Sequence, residues 1–306
     1  QIKNNIVGQI IESQKQTFRA TGESNTREYH GITRGWIANE IFRRVDPEQR
    51  TIGEFLRDDV AGPVGVDAMI GMLAADLPRI AKVKPIGFLT HLKHTLVPRI
   101  LGRKVHHSIF AMLGRVFEIM SEGRGKSSVS RPAPFTRLKS TEGLKDPVVA
   151  ICETFNDPLV EMGETPSVNA HCSARGLARI ASAMSMGGTS MGKQILSESA
   201  VKSLHEAPVD RHMGPMNTQF TQGGVARFAP TASGVSGMEK GINNGREGFY
   251  GWFGLGGSIF QWHPEYQIGF AFVPTSLHVL DLVNERGKVL QTEVLRIVEA
   301  QQARRF

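Results

Sequence analysis

Tyr250-Gly251-Trp252-Phe253-Gly254-Leu255-Gly256-Gly257-Ser258 runs straight into Ile259-Phe260-Gln261-Trp262, then His263-Pro264-Glu265-Tyr266, then Gln267-Ile268-Gly269-Phe270-Ala271-Phe272-Val273. Two apolar runs around a Pro-bearing tetrapeptide predict a β-hairpin. The glycines Gly245, Gly248, Gly251, Gly254, Gly256 and Gly257 crowd thirteen residues. They precede a strand rather than a helix, so they form no dinucleotide-binding fingerprint. A backbone this bare predicts turns, or something approaching the main chain closely. Upstream, Asn217 to Gly248 is rich in Gly, Ser, Thr and Asn, which reads as loops and short strands. Downstream, Asn284 is expected to cap a last helix with Val289, Leu290, Val294, Leu295, Ile297 and Val298 inward.

Further out the pattern is helical. Ile32, Trp36, Ile37, Ile41, Phe42 and Val45 recur at helical spacing, with Arg34, Asn39, Glu40, Arg43 and Arg44 opposite, and Asp46-Pro47 stops the helix. Thr51-Ile52-Gly53-Glu54 is a capping box that opens a second helix with Ile52, Phe55, Leu56 and Val60 inward, closed by Gly62-Pro63. Ser173 caps a helix carrying Leu177, Ile180, Ala181 and Met184 and ended by Gly187-Gly188. Ser197 begins a short helix through Leu204. Helices, then a strand hairpin, then a terminal helix predict an α+β fold with helices packed on an antiparallel sheet.

The chain has 306 residues, 36 Lys and Arg against 29 Asp and Glu, and a formal charge of +7. Between Leu77 and Lys145 there are 14 Lys and Arg and only three acids, Glu118, Glu122 and Glu142, a surplus of 14 − 3 = +11. The rest of the chain is therefore mildly acidic, 7 − 11 = −4. We read 77–145 as a basic insertion within one domain spanning 1–306. Its segment 85–99 is basic and amphipathic and suits an anionic membrane surface or an acidic partner. The plainer reading is a solvated helical insertion. Its phenylalanines lack the interleaving of a nucleic-acid stacking platform. His91 and His94 have helical spacing for two ligands, but no carboxylate or cysteine completes a zinc set, so no metal and no cofactor are expected. Two cysteines, Cys152 and Cys172, exclude a disulfide scaffold. No apolar run approaches the length of a membrane-spanning helix. The sequence shows no signal peptide and slightly favours the cytoplasm.

Two familiar motifs fail. Gly187-Gly188-Thr189-Ser190-Met191-Gly192-Lys193-Gln194 nearly spells a phosphate-binding loop, but Gln194 stands where Ser or Thr must hold magnesium. Ser199-Ala200-Val201-Lys202 matches Ser-x-x-Lys, in which a lysine one turn away deprotonates the serine, yet it sits late on an ordinary surface helix.

Two segments together carry more. Glu28-Tyr29-His30-Gly31-Ile32-Thr33-Arg34-Gly35-Trp36-Ile37-Ala38-Asn39-Glu40 places a tyrosine just before an amphipathic helix, and Tyr250 to Ser258 leads into the hairpin. This pairing resembles the serine β-lactamase-related family: class C β-lactamases, penicillin-binding proteins, family VIII carboxylesterases and animal β-lactamase-domain proteins. Thr51 to Gly65, Phe155 to Pro158, Pro166 to Asn169 and Ala174 to Arg179 fall in a similar order, so the likeness runs from about Ile10 to the end. It implies a β-lactamase/transpeptidase-like fold and an acyl-serine hydrolase. By that resemblance Tyr29 is the general base and acid. Trp252-Phe253-Gly254 takes the place of the third motif, on an edge strand, and the backbone N–H of Leu255 is an oxyanion donor. Tryptophan in place of lysine there favours an ester over a β-lactam carboxylate. Core packing is the plainer reading for both Tyr29 and Trp252. Asn169 and His171 are placed near the pocket by the resemblance only.

The departure is upstream. In the family, Ser-x-x-Lys lies a subdomain before the tyrosine, and nothing in Gln1 to Glu28 supplies it. The chain is therefore expected to be a C-terminal portion, its N-terminal strands missing, that is not competent alone. A catalytically inactive scaffold or binding protein of the same fold is the alternative. Missing strands would leave a sheet edge to be covered by the absent N-terminal segment or another chain. A completed site would take a small-molecule ester or amide.

Overall fold

The computed structural model describes residues 4–15, 29–105, 108–123, 139–213 and 216–304. In chain order the first half contains α1 (Ile6–Ser13), α2 (Thr33–Val45), α3 (Ile52–Phe55), α4 (Gly62–Val64), β1 (Ala68–Met69), β2 (Lys84–Pro85), α5 (Phe88–Ile100), α6 (Ile109–Gly123) and α7 (Pro147–Phe155). There follow α8 (Pro158–Met162), β3 (His171–Cys172), α9 (Ala174–Ser185), β4 (Thr189–Ser190), β5 (Lys193–Gln194) and α10 (Glu198–His205). The last third holds β6 (Val209–Met213), β7 (Met216–Phe220), β8 (Ala226–Arg227), α11 (Gly237–Asn243), β9 (Tyr250–Phe253), β10 (Ile259–His263), β11 (Ile268–Phe272), β12 (Ser276–Leu277) and α12 (Glu285–Ala303). The chain parts into two compact units, one of residues 1–24, 28–83 and 130–177, the other of 25–27, 84–129 and 178–306.

In the first unit the Thr51 box forms as read: Thr51 Oγ1 accepts from the Glu54 N–H, and the Glu54 carboxylate accepts from the Thr51 N–H. The helix then widens into a π-turn over Leu56–Ala61 and continues through Pro63. It ends on Gly65 at φ 62°, past the Gly62-Pro63 expected to close it. Pro63 is tolerated because it lies in the first turn of the final segment, where no N–H is needed. α2 has the expected length and stops at Asp46, but its phase differs. Gly35 and Asn39 are buried, while Ile37, Ile41 and Val45 are exposed. Polar partners set the rotation. The Asn39 carboxamide accepts from the Ile52 N–H at 2.7 Å, and the Gly35 N–H donates to Ser167 Oγ at 2.9 Å.

The second unit is built on a six-stranded antiparallel sheet in the order β11-β10-β9-β8-β7-β6. The predicted hairpin is β10–β11, with Ile259 opposite Phe272 and His263 opposite Ile268. Phe228, Met238, Ile242, Phe249, Ile268 and Val283 form the buried core, with Trp252, Phe253, Val294, Leu295 and Val298 packed on it. Each such large side chain stabilises the fold by roughly 1.5–3 kcal/mol on burial. Two expectations are corrected. The stretch read as loops and short strands also holds a helix, α11, capped by Ser236, whose Oγ accepts from the Glu239 N–H. α12 buries Gly287 and Gln291, leaving Leu290 and Ile297 exposed. The fully buried Arg246 explains that phase, since its guanidinium donates to Gln291 Oε1 and to the Ile242 and Val283 carbonyls. No described helix is long and apolar enough to cross a membrane.

Candidate active site

The chemistry-bearing stretch of the sequence becomes β9, a glycine turn and β10. Gly251 sits at φ 113°, where a Cβ would lie 2.2 Å from the Phe260 carbonyl oxygen, so only glycine lets the two strands close here. At the turn, the Gly254 N–H donates to the Ser258 carbonyl at 2.8 Å, and Gly257 N–H to the Gly254 carbonyl at 3.2 Å. The start of α12 then fastens it from outside. Asn284 Nδ2 donates to the Gly254 carbonyl at 3.1 Å and the Ser258 carbonyl at 2.8 Å. The Arg286 guanidinium donates to the carbonyls of Gly256 at 2.9 Å and Ser276 at 2.7 Å.

Asn284 is the N-terminal cap position of α12, but its side chain does not cap it. Asp281 does, accepting from the Glu285 N–H at 3.0 Å, which leaves the Asn284 carboxamide for the turn. Leu255, at the centre of this tied loop, is 61 % exposed. Its N–H reaches no acceptor among the described residues. A backbone N–H on a turn tied by its neighbours, with no acceptor among the described residues, is the type of donor that oxyanion stabilisation uses. Sequence reading singles out Leu255 but not Asn284 and Arg286, which tie its turn. The only local signal was Asn284 itself, which was read as a helix cap.

Trp252 is half-buried beside the turn. Its ring stacks on Phe253, with centroids 4.9 Å apart and planes 9° apart, and lies 5.5 Å from Phe220 and 6.3 Å from Phe228. Arg246 lies 5.0 Å from the Phe253 ring centroid, a desolvated cation on an aromatic face. Burial draws its pKa down to about 10. Trp252 therefore both packs and borders the turn. Its strand is not an edge strand: β9 lies between β8 and β10. The β8 ladder reaches only Tyr250 and Gly251, however, and ends before Trp252. Behind the strand, Trp262 Nε1–H donates to His205 Nε2 at 2.8 Å, so His205 carries its proton on Nδ1, facing the Val201 carbonyl at 2.8 Å. Burial holds this imidazole below the usual histidine range.

Trp252, Gly254 and Leu255 thus share one strand end and turn. Tyr29 lies in the other unit, 62 % exposed, just ahead of α2. Asn169 is committed to structure. Its carboxamide donates to the carbonyls of Val160 and Gly163 and accepts from the Thr165 N–H. His171 lies on β3, its pKa lowered by burial.

The Ser199–Lys202 match is not assembled as a serine–lysine pair. Ser199 Oγ bonds Ser197 Oγ at 3.0 Å while Lys202 Nζ turns to Glu206 at 3.3 Å. A second match that sequence reading passed over, Ser190-Met191-Gly192-Lys193, forms a β-hairpin in which Ser190 and Lys193 face each other across β4 and β5. Ser190 Oγ donates to the Arg179 carbonyl. Both cysteines are free thiols whose pKa values burial raises, Cys172 to about 11, which makes them poor nucleophiles. Among the described residues no cluster of His, Cys, Asp and Glu fits a metal ion.

No family model matches the sequence. No curated protein matches it either. Solved structures do. A penicillin-binding protein homolog from Caulobacter crescentus superimposes with a TM-score of 0.56 at 20 % identity, over 94 % of this chain and 63 % of its own. EstA from Arthrobacter nitroguajacolicus Rue61a gives 0.58 at 16 % identity, over 98 % and 68 %. The fold is that of the serine β-lactamase-like proteins. A family VIII carboxylesterase agrees, with a TM-score of 0.51 at 15 % identity over 87 % of this chain and 58 % of its own. The chain thus spans about three fifths of the length of the penicillin-binding protein homolog and of the carboxylesterase.

Proposed function

We propose that this chain carries the oxyanion turn and proton-relay tyrosine of an esterase-like acyl-serine hydrolase. The observation that carries the reading is the Leu255 N–H, presented without an internal acceptor on a turn fixed by Asn284 and Arg286. In this reading a serine oxygen attacks the carbonyl of an ester or amide, and the Leu255 amide stabilises the resulting oxyanion. Tyr29 takes the serine proton and passes it to the departing alcohol or amine, and water then releases the acyl group. Trp252 walls the acyl pocket and offers no cation to a β-lactam carboxylate, so esters are the favoured substrates. Of the two Ser-x-x-Lys matches of the sequence, Lys202 is turned to Glu206 and the Ser190 hydroxyl is committed to the Arg179 carbonyl. The proposal therefore needs a nucleophile-bearing segment beyond these 306 residues.

The same reading assigns a place for that segment. The sheet ends at β6 and β11. β6 is blunted by exposed Asp210, Arg211 and His212, while β11, Ile268-Gly269-Phe270-Ala271-Phe272, carries no charge. An edge without charge or proline is open to pairing with another strand.

The test is hydrolysis of a short-chain nitrophenyl ester and a chromogenic cephalosporin, by this chain and by the longest natural reading frame containing it. The expected result is no turnover by the chain alone. The longer protein should favour the ester and lose about a hundredfold or more in kcat on Tyr29→Phe. A second reading, a binding scaffold without catalysis, is favoured by the disassembled Ser199–Lys202 pair. It prevails if a longer protein with Ser-x-x-Lys is inert on both substrates.

A further inference from the structure

The basic surplus of the sequence is carried in part by α5 and α6, and each of these helices keeps one side for the protein. On α5 the buried side is His91 and Thr95: the His91 ring meets His278 edge-on at 3.9 Å, and Thr95 Oγ1 accepts from the Ile109 N–H at 2.8 Å. On α6 it is Ile109 and Met112, with Arg115 paired to Glu285 at 3.1 Å.

The opposite sides are apolar and open to solvent. Leu89, Leu96 and Ile100 recur at i, i+7 and i+11 along α5, with Leu89 and Ile100 each 79 % exposed. Phe110, Leu113, Phe117 and Met120 recur at i, i+3, i+7 and i+10 along α6, with Phe117 68 % exposed. The Arg99 guanidinium, 5.9 Å from the Phe110 ring centroid, joins the end of one stripe to the start of the other.

Charge decides what such a surface meets. Lys93, Arg99, Arg103 and Lys104 are exposed, and among the described residues none has an acidic partner. The one acid on either helix whose side chain is described, Glu118, is turned inward, where its carboxylate accepts from the N–H groups of Gly237 and Met238 at the start of α11. Exposed leucine and phenylalanine stripes beside Lys and Arg that have no acidic partner among the described residues are the composition of helices that lie in a lipid–water interface. Protein interfaces are instead depleted in lysine. We propose that α5 and α6 form a monotopic docking surface for an anionic lipid bilayer, with the two apolar stripes entering the headgroup region and the four cations facing anionic headgroups. This surface shares no residue with the β9 turn, and the proposal does not depend on the catalytic reading.

Co-sedimentation of the full chain with vesicles of phosphatidylcholine, alone and mixed with phosphatidylserine, tests it. Binding is expected to the mixed vesicles and to weaken as salt rises. The pair Leu89→Ser and Phe117→Ser should abolish it, and Lys93→Gln with Arg99→Gln should lower the partition coefficient by about tenfold or more. All four positions are exposed, so the variants should keep the wild-type thermal melt. As an independent readout, Phe117→Trp should be quenched by brominated lipid. Failure to bind either vesicle, or binding untouched by both pairs, would overturn the proposal. So would a dimer in sedimentation velocity that the Leu89→Ser and Phe117→Ser pair dissolves, because a second copy would then own the surface.

Discussion

Asn284 holds a left-handed backbone, φ 53° and ψ 51°, that costs a non-glycine residue of order 1 kcal/mol or more. The return is a carboxamide aimed at Gly254 and Ser258 rather than at its own helix. Asn284→Ala should therefore destabilise the fold by about 1–3 kcal/mol in urea unfolding, since two carbonyls lose their donor. In a catalytically complete protein it should lower kcat more than it raises KM, because the donor at Leu255 matters only once the oxyanion forms. An unchanged kcat would remove Asn284 from the site. Arg246 makes a different claim. It is completely buried, with three hydrogen-bond acceptors and two aromatic rings but no ion pair. Arg246→Ala leaves those acceptors unpaired around a cavity and should cost about 3 kcal/mol or more. A stability loss below about 1 kcal/mol would contradict that role.

Four imidazoles, His91, His171, His205 and His263, are all held below the usual histidine pKa by burial. The unfolded chain, titrating near about 6.5, then binds protons more readily than the fold. Stability is complete above that pH and is lost as pH falls through it toward the depressed folded values. For His205 the burial that lowers its pKa comes with a contact that also disfavours the cation, since a proton on Nε2 would oppose the Trp262 N–H. The urea midpoint should drop between neutral and mildly acid pH, and His205→Phe should flatten part of that drop. A midpoint independent of pH would show that these imidazoles stay accessible.

Among the elements, what the sequence reveals is what neighbouring residues decide by themselves. The Thr51–Glu54 box, the Asp46-Pro47 stop, the Ser173 and Ser197 caps and the β10–β11 hairpin are all contained within a few residues, and all form. Phase is another matter. α2 turns Ile37, Ile41 and Val45 outward because Asn39 and Gly35 find partners at Ile52 and Ser167, which no local pattern announces. α12 follows Gln291 inward because Arg246 is there to meet it. The π-turn at Leu56–Ala61 carries the helix past a Gly-Pro that reads as a stop. α11 is hidden in a glycine-rich stretch and is held by Glu118 from far upstream. At the candidate site the glycine-rich turn that carries Leu255 and follows Trp252 is legible, whereas its two clamps come from a helix start about thirty residues on. The edge strand is where an element makes a prediction. In the chain alone the outward-facing amides of β11 should exchange rapidly with deuterium, and in the longer protein they should be protected. Equal protection in both would mean that no added strand pairs there.

At the scale of the whole molecule, the helices, the six-stranded sheet and the agreement with three solved structures define one fold, the serine β-lactamase-like one. A fold alone does not confer its relatives' chemistry. What supports the proposed acyl transfer is the Leu255 N–H, which has no acceptor among the described residues, and what argues against turnover by the chain alone is that Lys202 turns to Glu206 and the Ser190 hydroxyl to the Arg179 carbonyl. Trapping an acyl-enzyme decides the matter directly. The chain alone and the longest natural reading frame are each incubated with an excess of nitrophenyl ester, quenched in acid and examined by intact-protein and peptide mass spectrometry. The predicted result is no acyl adduct on any serine of these 306 residues, Ser190 and Ser199 included, and a single adduct on a serine outside them in the longer protein. An adduct on Ser190 or Ser199 of the chain alone, chasing with time as a true intermediate does, would contradict it.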